Sequence, residues 1–313
     1  MSGDRSSLPN PPSIFAVIIT WNQRDETLDC LASLRRATHP NLRLIVVDNG
    51  SNDGTAEAIR TEYPAAEILH NGTNRGFAAA VNQGTRHALA RGAEFVFWLN
   101  NDTVVEPEAL AALLAEAGRE RAGILIPLIT YFDQPQVVWS AGAGLNPLTL
   151  EIRANTLGAI DRGQWQEVLD RQHATACASL IPRATLDKVG LLDERFFYYY
   201  DDADYSLRVI RAGLRILFVP QARVQHKVAR ASGGVDTTYH RYWMGRSSVI
   251  YFRKHVRGWR WAIVAPYRLA SAVRTTARLV LRCKGATAAA YLRGLRDGMR
   301  TDLSSPSASD FSA

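Results

Sequence analysis

Three carboxylates within four positions, Asp201, Asp202 and Asp204, stand directly behind the aromatic run Phe196-Phe-Tyr-Tyr-Tyr200. Grouped carboxylates beside low-dielectric rings repel one another, which lifts the pKa of one of them toward the range useful to a general base. The same acids also suit a solvated turn in which Asp204 caps the next helix. Asp102 follows the apolar run Phe95-Val-Phe-Trp-Leu99, in the sequence Asn100-Asn101-Asp102-Thr103. A carboxylate there can hold Mg²⁺ or Mn²⁺, which use one or two protein carboxylates plus phosphate oxygens, or it can cap a helix. His226 is a packed histidine unless a second ligand stands beside it. Asp48, ahead of the turn Asn49-Gly50-Ser51, suits hydrogen bonds to a base or ribose. Asn74-Arg75-Gly76-Phe77 puts a fixed positive charge before a helix N-terminus, where free N–H groups suit a diphosphate. Each of these two is equally an ordinary turn. Neither a P-loop nor a G-x-G-x-x-G is present, so any nucleotide is bound in another way.

The elements that must position these residues are legible in the hydrophobic pattern. Phe15–Ile19 and Leu42–Val47 are β-branched apolar runs without helical period, and between them Leu28, Leu31 and Leu34 mark one face of a helix over 25–37. Strand, helix, strand makes a βαβ unit. Asp53 or Thr55 caps a helix to Arg60, a strand covers Glu67–His70, a helix covers 77–91 and a strand 94–99. A helix over 108–118 and a strand over 123–129 continue the pattern. In open α/β sheets ligands sit beyond the carboxyl ends of the strands, so Thr20, Asp48 and Asp102 are expected along one rim. Residues 131–172 read as an irregular hairpin or mobile flap. A strand to Ile181, helices over 184–189 and up to Ala212, and a strand over 215–219 that stops at Pro220 complete the body.

The 313 residues carry a net charge of +7, unevenly placed. Residues 241–300 hold 14 Lys and Arg against one acid, Asp297, which leaves the rest of the chain at −6. Such asymmetry points to a polyanionic partner. Trp261–Leu281 is broken by Arg268, Arg274 and Arg278, too polar to span a bilayer. Arg274, Arg278 and Arg282 fall on one helix face, with Trp259, Trp261, Tyr267, Leu279 and Leu281 available for an interface, so an anionic membrane surface is the expected partner. The rival expectation is packing on the catalytic domain or on a second copy in a homo-oligomer. Cys30, Cys177 and Cys283 have neither zinc-site spacing nor an even number for a disulfide framework, and no signal peptide precedes the first strand. The expected location is the cytoplasm, peripheral at the inner face of the cell membrane.

Taken in order, Val17-Ile-Ile-Thr-Trp-Asn22, Ile45-Val-Val-Asp-Asn-Gly-Ser-Asn-Asp-Gly-Thr55, Asn74-Arg-Gly-Phe-Ala78, Leu99-Asn-Asn-Asp-Thr103, Val189-Gly-Leu-Leu-Asp-Glu-Arg-Phe-Phe197, Tyr200-Asp-Asp-Ala-Asp204 and His226 resemble the family 2 glycosyltransferases, among them rhamnosyltransferase- and galactofuranosyltransferase-like members. The resemblance implies a GT-A α/β fold, a Rossmann-like, mostly parallel sheet flanked by helices. A catalytic domain over 13–238 is then followed by a basic helical region over 239–300, with disordered tails at 1–12 and 301–313. It implies an inverting, metal-dependent transfer of a sugar from a nucleotide-diphosphate donor, dTDP-rhamnose or a UDP-hexose, to a glycan or lipid-linked saccharide in surface-polysaccharide assembly. Thr20, Asn22 and Asp48 would hold base and ribose, and Arg75 would lie near the nucleotide. Asp102 would be the metal ligand at the last position of the family's D-x-D motif, with Mn²⁺ or Mg²⁺ as cofactor. Asn100, where that motif has its first carboxylate, is counted as nucleotide-binding, and its lack of charge makes His226 more valuable as a second ligand. Asp202 would be the catalytic base, with Asp201 shaping the acceptor site. Cys177 stands where similar proteins often carry Gly.

Two other functions compete. A nucleic-acid-binding protein could use the basic region, but no reader module is present, so no nucleic-acid partner is expected. A nucleotidyltransferase should carry a Gly-rich, Lys-bearing loop where this chain has Thr20-Trp-Asn-Gln-Arg24.

Overall fold

The strands and helices expected from the sequence alternate in a computed structural model that describes residues 11–228 and 236–304. In chain order β1 (Ile14–Thr20), α1 (Arg24–Arg35), β2 (Leu42–Asp48), α2 (Thr55–Glu62), β3 (Glu67–His70), α3 (Phe77–Ala90) and β4 (Phe95–Asn100) build the first half. The strands β3-β2-β1-β4 are adjacent and parallel. β1 is buried throughout because helices cover both of its faces. Phe15, Val17 and Ile19 meet Ala80 and Val81 of α3, while Ile14, Ala16 and Ile18 share a core with Leu31 and Leu34 of α1. A Cβ on Gly84 of α3 would collide with Val17, so that glycine lets helix and sheet approach closely.

A tight turn at Asn101-Asp102 leads into β5 (Thr103–Val105), so Asp102 does not cap a helix. Then follow α4 (Ala109–Ala115), β6 (Ala122–Tyr131), β7 (Val138–Ser140), β8 (Gly144–Leu145), β9 (Ile152–Arg153), β10 (Leu169–Arg171), β11 (Ala178–Pro182), α5 (Arg183–Val189), α6 (Asp201–Arg211) and β12 (Arg215–His226). The sheet runs β10-β12-β6-β11-β4-β1-β2-β3, with β5 on β12 and β7 on β6; β5, β7, β10 and β11 are opposed to the rest. Of the two alternatives for 131–172 the structure has the hairpin, β8 pairing antiparallel with β9, and not the free flap, since β7 pairs with β6 and β10 with β12. One expectation needs correction. The last strand does not stop at Pro220: a bulge between Val219 and Arg223 accommodates the proline, whose missing N–H no ladder bond needs there, and the strand continues to His226.

The basic region folds as α7 (Thr238–His255), a 3₁₀ turn (Gly258–Arg260), α8 (Trp261–Leu281) and α9 (Gly285–Arg300). α7 and α9 pack backbone to backbone, because a Cβ on Gly294 or Gly298 would overlap the carbonyls of Tyr242 or Arg246. Ile250, Tyr251 and Phe252 of α7 share a core with Ala203 and Leu207 of α6, so the region is seated on the α/β body. The segments expected to be tails are anchored at their inner ends. His39 and Asn41 bond the carbonyls of Pro12 and Pro11, and Arg195 donates to the carbonyl of Leu303. Residues 1–10 and 305–313 lie outside the described residues.

Candidate active site

The same-direction strands β1, β2, β4 and β12 end at Thr20, Asp48, Asn100 and His226, so the sheet brings residues from 200 positions apart to one rim. Two clefts open there. The narrower, about 100 Å³, is lined by Thr20, Trp21, Gln23, Asn49, Asn74, Tyr198 and Tyr239 among others. The wider, about 650 Å³, is lined by Trp139, Glu151, His173, Cys177, Tyr199, Asp201, Asp202 and His226 among others. Phe77, Asn100, Asp102 and Tyr198 belong to both walls, which places Asp102 at the seam.

Asp102 Oδ1 lies 3.0 Å from Nε2 of His226, and both residues are buried. β5 pairs with the end of β12 in a register that sets His226 opposite Thr103, which fixes this pair. Trp139 packs edge-on against the imidazole at 4.4 Å, and Nδ1 of His226 is buried without a hydrogen-bond partner among the described residues. Burial disfavours the imidazolium, but Cys177 and the Asp102 carboxylate more than offset this, and the net shift is upward. The spacing also equals that of two neighbouring ligands on an octahedral ion with bonds of ~2.1 Å. No group of three or more His, Cys, Asp or Glu able to hold a metal occurs among the described residues. The pair therefore fits a hard divalent ion that completes its shell with phosphate oxygens and water, and not a closed all-protein site.

Asp201 and Asp202 open α6 after a sharp turn in which Tyr199 and Tyr200 both adopt left-handed backbone, φ 65° and 64°. For non-glycine residues this costs on the order of 1 kcal/mol each, so the surroundings must hold it. They do so through α7. Ser247 donates to the carbonyl of Tyr198 at 2.8 Å, His240 packs on Tyr199, and Tyr251 packs on Tyr200. The turn presents both carboxylates at a helix N-terminus, where the macrodipole favours negative charge. Asp201 is buried, and desolvation together with the charge of Asp202 raises its pKa well above the ordinary carboxylate value. Asp202 is more open, its side chain 26% exposed, with Oδ1 accepting the N–H of Ala203 at 2.8 Å. Asp204 lies in neither cleft wall and caps nothing. It is fully buried and paired with Arg208, Lys254 and His255.

Thr20, Asn100, Asp102, Asp201, Asp202 and His226 thus converge as the sequence leads one to expect. Asn22, Asp48 and Arg75 line neither cleft. Asn22, at φ 51°, ties two loops together by accepting the N–H of Asn52. Asp48 is buried, one oxygen accepting the N–H of Ser51 and the other paired with His70 at 2.9 Å. Arg75 is exposed, and the N–H groups of Arg75, Gly76 and Phe77 are occupied by Asn49, Asn74 and Phe197. The expected anion site at the start of α3 is therefore filled by protein acceptors. Sequence reasoning gave no role to Gln23, whose side-chain N–H₂ group is buried beside the narrow cleft with no partner among the described residues, nor to Asn49 and Asn74 within the motifs it named, nor to Tyr239 and His173. Gln23 and Asn74 adjoin residues already singled out, but nothing local in the sequence distinguishes His173.

A mostly parallel sheet in this strand order, flanked by helices, is the GT-A fold of glycosyltransferases. The solved fold likenesses agree. The mannosyltransferase PcManGT from Pyrobaculum calidifontis, in complex with GDP-Man and Mn²⁺, matches with a TM-score of 0.58 at 17% identity over 94% of this chain and 90% of that one. GalNAc-T7 with UDP, GalNAc and Mn²⁺ also gives 0.58, at 15% identity over 78% of this chain and 50% of its own. The model of glycosyl transferase family 2 matches residues 15–185, more than half of the chain, and the protein belongs to that family. Among its relatives, the N-acetylglucosaminyl-diphospho-decaprenol L-rhamnosyltransferase of Mycobacterium tuberculosis is 29% identical over 85% of this chain and 92% of its own. The dTDP-rhamnosyl transferase RfbF of Shigella flexneri is 23% identical over 78% of this chain and 81% of its own.

Proposed function

We propose that the protein transfers a deoxyhexose or hexose, with inversion, from a dTDP- or UDP-linked donor to a hydroxyl of a prenyl-diphosphate-linked saccharide in surface-polysaccharide assembly. The observation that carries this reading is the position of Asp102 and His226 at the seam between a narrow polar cleft and a wide one whose wall holds Asp202. The nucleotide lies in the narrow cleft against Thr20, Gln23, Asn49, Asn74 and Asn100, and Asn22 and Asp48 brace the loops that frame it. Asp102 and His226 hold Mn²⁺ or Mg²⁺, which when bound neutralises charge on the departing diphosphate. Asp202 takes the proton of the acceptor hydroxyl as that oxygen bonds to the anomeric carbon. The bond from that carbon to the diphosphate oxygen breaks, and its electron pair leaves with the diphosphate. One base and one in-line displacement invert the anomeric centre and need no covalent enzyme intermediate. dTDP-rhamnose and the prenyl-linked acceptor are favoured because the names of two relatives specify them.

The test is turnover of dTDP-rhamnose and a UDP-hexose panel with a short-chain prenyl-diphospho-N-acetylglucosamine, with EDTA, Mn²⁺ or Mg²⁺. We expect one donor to react, activity to vanish in EDTA and return with either ion, and the product linkage to have the configuration opposite to the donor's. No turnover of any donor, or retention of configuration, overturns the reading.

Lipid-linked acceptors require access to a bilayer, and α8 supplies a surface suited to one. No helix among the described residues is long and apolar enough to cross a membrane. Yet Trp259 and Leu269 are each 68% exposed and Leu281 84%, with Tyr267 and Val273 exposed beside them. Apolar surface of this kind, flanked by Arg257, Arg274, Arg278 and Arg282, suits the interface of an anionic leaflet. Arg278 and Arg282 approach Asp236 only at 3.6 and 3.9 Å and keep much of their exposure. We expect sedimentation with phosphatidylglycerol vesicles, weak binding to phosphatidylcholine, and loss of both in a Trp259→Ser, Leu269→Ser variant. Equal binding to both vesicles sinks the anionic preference, and a self-associating chain that ignores them sinks the membrane assignment.

A further inference from the structure

His173 has no role in the chemistry described so far, yet it stands in the wall of the wide cleft beside the base. Its backbone is fixed: Ala143 and His173 exchange N–H···O=C bonds of 3.1 and 3.0 Å, and the N–H of Ala174 donates to Ser206 of α6 at 3.0 Å. Its side chain is only 13% exposed, and Nε2 is buried with no hydrogen-bond partner among the described residues. That nitrogen lies 3.6 Å from Oδ2 of Asp202, too far for a hydrogen bond and close enough for a small side-chain movement to make one. Catalytic hydrogen bonds are often long without substrate and tighten when the site fills.

We propose that His173 is the positioning residue of Asp202, its Nε2–H donating to Oδ2 when an acceptor occupies the cleft. The inference rests on the reading of Asp202 as the base. With Oδ1 pinned by the N–H of Ala203, a second donor on Oδ2 fixes the plane of the carboxylate. A carboxylate oxygen has two acceptor sites, so Oδ2 keeps one for the acceptor hydroxyl. The transferred proton ends on Asp202, and His173 neither gains nor loses one.

The test is a double-mutant cycle with dTDP-rhamnose and the short-chain prenyl-diphospho-N-acetylglucosamine. His173→Phe keeps the ring volume without the N–H, and His173→Gln keeps an N–H. We expect His173→Phe to lower kcat about 10–100-fold, with KM for the donor within about twofold of wild type and dTDP affinity unchanged. His173→Gln should recover most of the loss. In an Asp202→Asn background, His173→Phe should change the residual rate less than about twofold, because a residue acting through Asp202 has nothing left to act on. Additive losses, equal impairment in Phe and Gln variants, or wild-type kcat in His173→Phe each overturn the proposal. Wild-type activity in Asp202→Asn alone is a different result, which removes the base assignment instead.

Discussion

Asp202→Asn is expected to lower kcat by about 10²–10⁴-fold while leaving the protein folded and able to bind its nucleotide. The magnitude follows from the role: an acceptor hydroxyl with no base must attack while still carrying its proton, and the amide cannot receive it. The fold should tolerate the change because Asp202 sits partly open in the cleft wall and the asparagine carbonyl can still accept the N–H of Ala203. Asp201→Asn makes the informative contrast. Asp201 is buried, and desolvation disfavours its charged form, so replacing it by the uncharged amide should cost activity far less. Initial rates of both variants, with dTDP binding and thermal melting as controls, decide the matter. A near-normal Asp202→Asn beside an inactive Asp201→Asn would exchange the two roles.

The largest loss of stability is expected from Asp204→Asn, about 3–5 kcal/mol, because removing one member of a buried ion pair leaves its partners uncompensated. Asp204 is fully buried, with one oxygen 2.8 Å from Nε of Arg208 and the other 2.7 Å from both Nζ of Lys254 and Nε2 of His255. Arg211 donates to Nδ1 of His255, so Nε2 of that ring carries the proton given to Asp204. These contacts join α6 to the end of α7, and α7 in turn supports the strained turn at Tyr199 and Tyr200. Lys254→Met should cost less, since Asp204 then keeps Arg208 and His255, and Asp193 keeps Arg195. The pH dependence has a definite sign. Burial raises the Asp204 pKa, but its cationic partners outweigh that and hold it below the ordinary 3.8. Its contribution is therefore present above that value and lost as the pH falls through the depressed folded pKa. Urea unfolding at neutral and at acid pH should show a wide gap between wild type and Asp204→Asn that narrows in acid. A gap that stays the same across that range would contradict the assignment.

Local rules determined most of the scaffold. The three-residue spacing of Leu28, Leu31 and Leu34 marked α1, the β-branched runs marked β1 and β2, and Asp102 and Asp202 were recognisable because each lies within a motif a few residues long. Periodicity, capping and turn chemistry act over such distances, and a sequence displays them directly. It does not display which distant side chain will stand beside a given charge. Asp48 is answered by His70, Asp102 by His226, and Asp204 by Lys254 and His255. His173 reaches Asp202 only because Ala143 and α6 hold it there. The basic C-terminal region divides: α7 and α9 lock together through glycines, α7 neutralises buried acids, and α8, with the outer side of α9, keeps apolar and cationic residues exposed. Sequence fixes where a charge lies along the chain, but its energy depends on burial and on neighbours within a few ångströms, and only the packing of distant segments supplies those.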